Sequence, residues 1–149
     1  MIGRRLLLGV VLLLLPAVLH AAGKGRVLIG NRVAVGVEVA RTEAEKVRGL
    51  SGREGLAADR GMLFIYETPV RPLIWMRGMR FPLDILWIRD GRVVDVVRGA
   101  KPPAPGAAPQ EFTPREAVQY ILEVPAGFVE RHGIVRGDPV EIGLEETAR

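Results

Sequence analysis

The sequence predicts an α+β protein made mainly of antiparallel strands: a small closed or partly open barrel-like sheet with one or two short helices. Three observations carry this reading. Short apolar runs recur along the chain, separated by turn formers rather than by long helical patterns. One run alternates, with Val33, Val35, Val37 and Val39 on one face of VAVGVEVA, as a half-buried strand requires. And WIRDGRVVDVV sets Asp90-Gly91 between two apolar runs, the local signal for a two-residue hairpin.

The first 22 residues stand apart from that pattern. MIGRR is a short basic segment, an apolar run follows from Leu6 to Leu15, and the small residues Ala21 and Ala22 come after it. That order fits a secretory signal peptide, cleaved after Ala21 or Ala22. A membrane-spanning helix needs about 20 apolar residues, and Pro16 and His20 interrupt this stretch. The expectation is a signal peptide over 1–22 and a single mainly-β domain over 23–149, with its core at about 33–142. The domain is expected to be exported, periplasmic or extracellular, and to meet the membrane only through the signal before cleavage.

Along the domain, Arg26–Ile29 and Val33–Ala40 read as strands, joined at Gly30-Asn31, where both residues tolerate positive φ. Thr42 and Glu45 have capping-box spacing and Gly49 is a stop, which predicts a helix of two turns. Met62–Tyr66 and Leu83–Ile88 are strands and Ile74–Met76 is a third candidate; Pro69, Pro72 and Pro82 forbid a helix through this region. Residues 99–116, dense in Pro, Ala and Gly, are read as an exposed loop or flap that builds no strand. Ala117–Val124 is a strand, PAGFVERHG a short helical turn, and PVEI lies in the closing strand.

Composition narrows the chemistry. The chain has no cysteine, which removes disulfides, a lipid-modified cysteine and thiol catalysis. Without residues 1–22, 19 basic residues face 17 acidic ones, a balance of +2, and the two signs are interleaved. Nucleic acid is therefore not an expected partner. His132 is the one histidine after residue 22, which excludes a multi-histidine metal centre. A monomer is expected, and no cofactor is implied.

The succession VEVARTEAEKVRGLSGREGL, GMLFIY, WMRGMRFPLDILWI, DGRVVDVV, YILEVPAGFVERHGI and RGDPVEI resembles the bacterial and archaeal family called Domain of Unknown Function 192. The resemblance runs from about Val33 to Ile142 and implies a small, mostly β domain, often exported, with no agreed activity. Arg48-Gly49-Leu50, Gly61-Met62-Leu63-Phe64, Trp75-Met76, Pro82-Leu83-Asp84 and Leu122-Glu123 stand where the family pattern puts them. Two places depart from it: Ser51 takes a position commonly held by Met, and Arg77-Gly78-Met79 replaces the usual Lys-Asn-Thr.

Several residues are candidates for a site. Asp84 precedes an apolar strand, where an acid is either a tuned base or a structural partner of an arginine or a backbone amide. Glu123 alternates with Ile121 against Tyr120, Leu122 and Val124, and with Asp84 it offers the two carboxyls that glycosidic chemistry needs. Trp75 and Arg77, with Arg48 and Asp84, form a candidate ligand-binding rim; packing for the ring and solvent for the guanidinium is the alternative. Met62, Met76 and Met79 could present soft sulfur ligands to copper(I) or simply fill the core.

Together these residues suggest an extracytoplasmic module that binds a small molecule or a cell-envelope component, its site between the Trp75–Asp84 rim and the Pro-rich flap. A hydrolase acting on a carbohydrate or cell-wall substrate through Asp84 and Glu123, and a copper(I) carrier using Met62, Met76 and Met79, are the alternatives.

Overall fold

The computed structural model describes residues 23–145; the signal peptide read over 1–22 lies outside the described residues. Nine strands and two short helices follow one another through the described chain. They are β1 (Gly23–Ile29), β2 (Val33–Ala40), α1 (Glu43–Arg48), β3 (Arg60–Val70), β4 (Ile74–Trp75), β5 (Leu83–Arg89), β6 (Arg92–Ala100), β7 (Glu111–Phe112), β8 (Val118–Pro125), α2 (Phe128–Arg131) and β9 (Val140–Leu144). Seven strands form one sheet in the order β6-β5-β8-β3-β2-β1-β9, and β4 pairs with β7 in a separate ribbon.

The sheet is a curled half-barrel, antiparallel except where β2 and β3 run parallel. Its edge strands meet at one end only. There Arg92 bridges Pro139, and Val140 N–H donates to the Gly91 carbonyl at 2.8 Å. The β5–β6 hairpin that makes this contact is the predicted one. Arg89 pairs with Arg92 across Asp90 (φ 49°) and Gly91 (φ 68°), the doubly left-handed turn that Asp-Gly favours.

The apolar pattern decides which strands are covered on one face and which on both. β2 buries Val33, Val35, Val37 and Val39 towards the concave face, while its other face is only half-covered. In β5 every residue from Leu83 to Ile88 is buried, and β3 and β8 carry similar runs. Continuous burial means that β3, β5 and β8 separate two apolar cores. The concave core joins Val27, Leu63, Leu86, Leu122 and Val124 to Phe128 and Val129 of α2. The convex core joins Phe64, Ile85, Trp87 and Ile121 to Leu50, Met76 and Met79, which arrive from outside the sheet. Gly61 of GMLF is needed for space: a Cβ there would stand 2.7 Å from the Glu123 carbonyl.

Asp84 lies on the concave side, 1% exposed, and both its oxygens are satisfied by backbone. Oδ1 accepts from Gly99 N–H at 2.8 Å, and Oδ2 accepts from Val129 N–H at 2.9 Å. Gly99 belongs to a β6 bulge, where Leu83 pairs with Ala100 but Ile85 with Val97. Val129 belongs to α2, whose own N-cap, Gly127, has no side chain to cap it. Asp84 thus pins the bulge and caps the helix across space. Of the roles open to it in the sequence, the amide-capping one is observed.

Other expectations need adjusting. β1 also contributes Val27 and Ile29 to the concave core. The first hairpin has a three-residue loop, Gly30–Arg32, because Ile29 pairs with Val33. Within 99–116, Gly99 and Ala100 end β6, and Glu111-Phe112 forms a further strand, since that dipeptide is free of proline and finds β4 as a partner. The predicted capping box is present: Glu45 N–H donates to Thr42 Oγ1 at 3.2 Å and Thr42 N–H to Glu45 Oε2 at 2.8 Å.

Asp84→Asn keeps the shape of the side chain but turns an amide NH2 towards a backbone N–H. The variant should lose about 3 kcal/mol of stability, roughly 10 °C in Tm. Thermal unfolding followed by circular dichroism measures this, and an unchanged Tm would remove Asp84 from its structural role.

Candidate functional site

On the convex face α1 lies beside β2 and reaches over β3 through Lys46, opposite β4. Gly49 ends α1, and Leu50 drops from it into the core. Two hydrogen bonds tie this turn to the next segment: Ser51 Oγ donates to the Arg77 carbonyl at 2.9 Å, and Gly52 N–H to the Gly78 carbonyl at 2.9 Å. On the far side the β4–β7 ribbon holds Trp75 in place. Between these walls lies a cavity of about 170 Å³.

Phe64, Tyr66, Trp75, Met79 and Leu83 line its walls, and Glu43, Lys46 and Arg48 of α1 stand around it. Glu123 also lines it, delivered by β8 between Met62 on β3 and Ile85 on β5. This carboxyl is 5% exposed and has no hydrogen-bond or ion-pair partner among the described residues. Burial alone pushes its pKa from 4.5 up to about 8. At neutral pH Glu123 is therefore mostly protonated, a donor with one O–H to give. Burial also raises the Tyr66 phenol, and the negative charges of Glu43 and Glu123 add to the effect.

Two of the surrounding cations are already engaged. Lys46 Nζ lies 4.3 Å from the centre of the Tyr66 ring and 2.9 Å from Glu43 Oε1. The Arg77 guanidinium lies 4.4 Å from the centre of the Trp75 ring. Arg48, exposed, has no such partner among the described residues.

Of the four residues expected to bind a ligand, Trp75 and Arg48 line the cavity and Arg77 stacks on Trp75. Asp84 is not among them. Register explains why: Asp84 pairs with Val124, whereas Ile85 pairs with Glu123. Neighbouring residues of a strand point to opposite faces, so the two carboxyls leave the sheet on opposite sides. The Asp84–Glu123 pair needed for glycosidic chemistry is not formed. Met62, Met76 and Met79 are all buried in the convex core, and of the three Met79 lines the cavity. The 99–116 segment contributes no lining residue; it supports the wall through β7 instead. The other wall, α1 and the turn at Gly49–Ser51, was visible in the sequence only as a capped helix with a glycine stop. His132, at the end of α2, packs its ring on Phe128 with centroids 4.4 Å apart.

The two departures from the family pattern face each other here. Gly78 has φ +70°, a left-handed conformation that glycine and asparagine adopt more readily than other residues. Gly in place of Asn therefore keeps the turn. A Cβ on Gly78 would come within 3.3 Å of Ser51 Cβ, so small residues on both sides fit together.

Comparison with known proteins agrees with this fold. The chain is similar to a candidate transcription regulator from Sinorhizobium meliloti 1021, with 31% identity and a TM-score of 0.73 over 81% of this chain and 95% of that one. It is also similar to a protein of unknown function from Novosphingobium aromaticivorans DSM 12444, with 32% identity and a TM-score of 0.72 over 78% of this chain and 83% of that one. No curated protein sequence matches the chain. Residues 26–142 match the family profile DUF192, described as "Uncharacterized ACR", and the chain belongs to this family.

Proposed function

We propose that this chain is an exported small-molecule-binding domain whose site is the cavity over Glu123. One observation carries the reading: a buried carboxyl without a partner among the described residues lines a cavity walled by Phe64, Tyr66 and Trp75. An unpaired buried acid costs stability, and a ligand that accepts its proton in a hydrogen bond offsets that cost. Aromatic walls with a few convergent polar groups are the usual make-up of a small-molecule site. Export is supported by the basic, apolar and small-residue order of residues 1–22.

Three measurements test this. Titration of the 15N-labelled domain with a library of neutral and charged fragments, followed by NMR, should shift the amides of Leu50, Phe64, Tyr66 and Glu123 together. A library that leaves all four in place would overturn the reading. Sequencing the N-terminus of the protein recovered from its native host should give Ala22 or Gly23. Recovery with Met1 retained would remove the cleaved signal.

The third measurement concerns pH. The folded chain keeps on Glu123 a proton that the unfolded chain releases above 4.5. Glu123 therefore gives its full contribution to stability below pH 4.5 and loses it as pH rises through about 8. The slope is at most about 1.4 kcal/mol per pH unit. Glu43, Lys46 and Arg48 from α1 and Tyr66 from β3 surround the group and remain in the variant. Glu123→Gln should melt near the parent at pH 5 and above it at pH 8.5. Parallel Tm profiles for the two proteins would mean that Glu123 is ionised in the fold.

A further inference from the structure

We propose that the cavity takes a small organic anion: a ring-sized apolar body with an acidic group held by Arg48 and an oxygen acceptor resting on Glu123. This rests on the reading of the cavity as a ligand site and adds the class of ligand. Size comes first. About 170 Å³ is close to the roughly 150 Å³ cavity known to hold benzene, so one ring or its aliphatic equivalent fills the apolar part.

Charge comes second. Lys46, Arg48 and Arg77 lie at or beside the cavity against the single carboxylate of Glu43, so the local balance favours an anion. Lys46 is held by Glu43 and the Tyr66 ring, and Arg77 by the Trp75 ring. Arg48 is left with its guanidinium donors unspent among the described residues, and a guanidinium binds a carboxylate through two parallel hydrogen bonds. Glu123, protonated, meets an ether, hydroxyl or carbonyl oxygen; a ligand amine would instead require it ionised and would approach past an excess of positive charge. Finally, Val47 and Leu73 both line the cavity although they are 63% and 51% exposed. They are an apolar lip against which the part of the ligand near the opening would rest.

A matched series tests the class: 4-methoxybenzoate, 4-methoxybenzyl alcohol and 4-methoxybenzylamine, titrated by NMR into the parent, Arg48→Ala, Glu123→Gln and Glu123→Leu. The benzoate should bind the parent at least about tenfold more tightly than the alcohol or the amine. Arg48→Ala should erase that preference while leaving the alcohol's affinity unchanged. Glu123→Gln, which retains an N–H donor, should keep benzoate binding, and Glu123→Leu should weaken it; unchanged melting of Arg48→Ala confirms that its fold is intact. A preference for the amine, or a benzoate preference that survives Arg48→Ala, overturns the proposal. If none of the three binds, the proposal also falls: the cavity reading survives when library fragments still shift the cavity amides, and fails with it when they do not.

Discussion

Three strands of this half-barrel, β3, β5 and β8, are buried on both faces, and this constraint organises the rest. A strand covered on one side can send its polar residues to water on the other. A strand covered on both sides has no such outlet. Two buried acids nevertheless lie on these strands, Asp84 on β5 and Glu123 on β8, on opposite sides of the sheet. They meet the same problem in opposite ways. Asp84 gives both oxygens to backbone amides, one from a bulge and one from a helix, and so helps close the concave core. Glu123 receives no hydrogen bond among the described residues, and burial favours its protonated form instead.

The covering of the convex face follows from the same constraint. Phe64, Ile85, Trp87 and Ile121 would face water if the sheet were bare, so 41–58 and 71–81 fold back over them. Outside α1 and β4 these two segments are irregular, and their backbone groups need partners of their own. Ser51 and Gly52 find theirs across the gap at Arg77 and Gly78, and Met76 N–H reaches the Gln110 carbonyl at 3.1 Å. A cavity remains where α1 and β4 fail to meet, directly over Glu123. The buried Trp87 indole N–H is left without an acceptor among the described residues.

Local signals made much of this legible in the sequence. The Asp90-Gly91 hairpin, the Thr42 capping box and the alternation of β2 are each set by neighbours in the chain, and each appears as read. The continuous runs MLFI and LDILWI also signalled their strands. What those runs did not disclose is which face each acid takes relative to the other, because that depends on the register between β5 and β8. A shift of one residue would have placed Asp84 and Glu123 side by side. The site was legible in its parts, Arg48, Trp75 and Glu123, but not in its assembly. Its second wall comes from α1, a helix with no buried residue and hence no apolar stripe to announce what it covers. The Pro-rich segment misled for a related reason: its composition suggests a mobile flap, whereas two proline-free residues dock it to β4.

The contrast between the two acids bears on what the convex face is for. A fold that needed only stability could replace Glu123 with an apolar residue of similar volume, since its neighbours Met62 and Ile85 are apolar and it has no hydrogen-bond partner among the described residues. The same replacement at Asp84 would orphan two buried amides. Packing therefore accounts for Asp84 and does not account for Glu123. Nor does local backbone geometry, for β8 is regular there and pairs on both sides. Under the ligand-binding proposal, the Glu123 O–H is a donor facing the cavity that Glu123 lines. Arg48 fits the same account from the outside: an exposed cation lining the cavity that holds the acid, while its neighbours Lys46 and Arg77 are spent on aromatic rings.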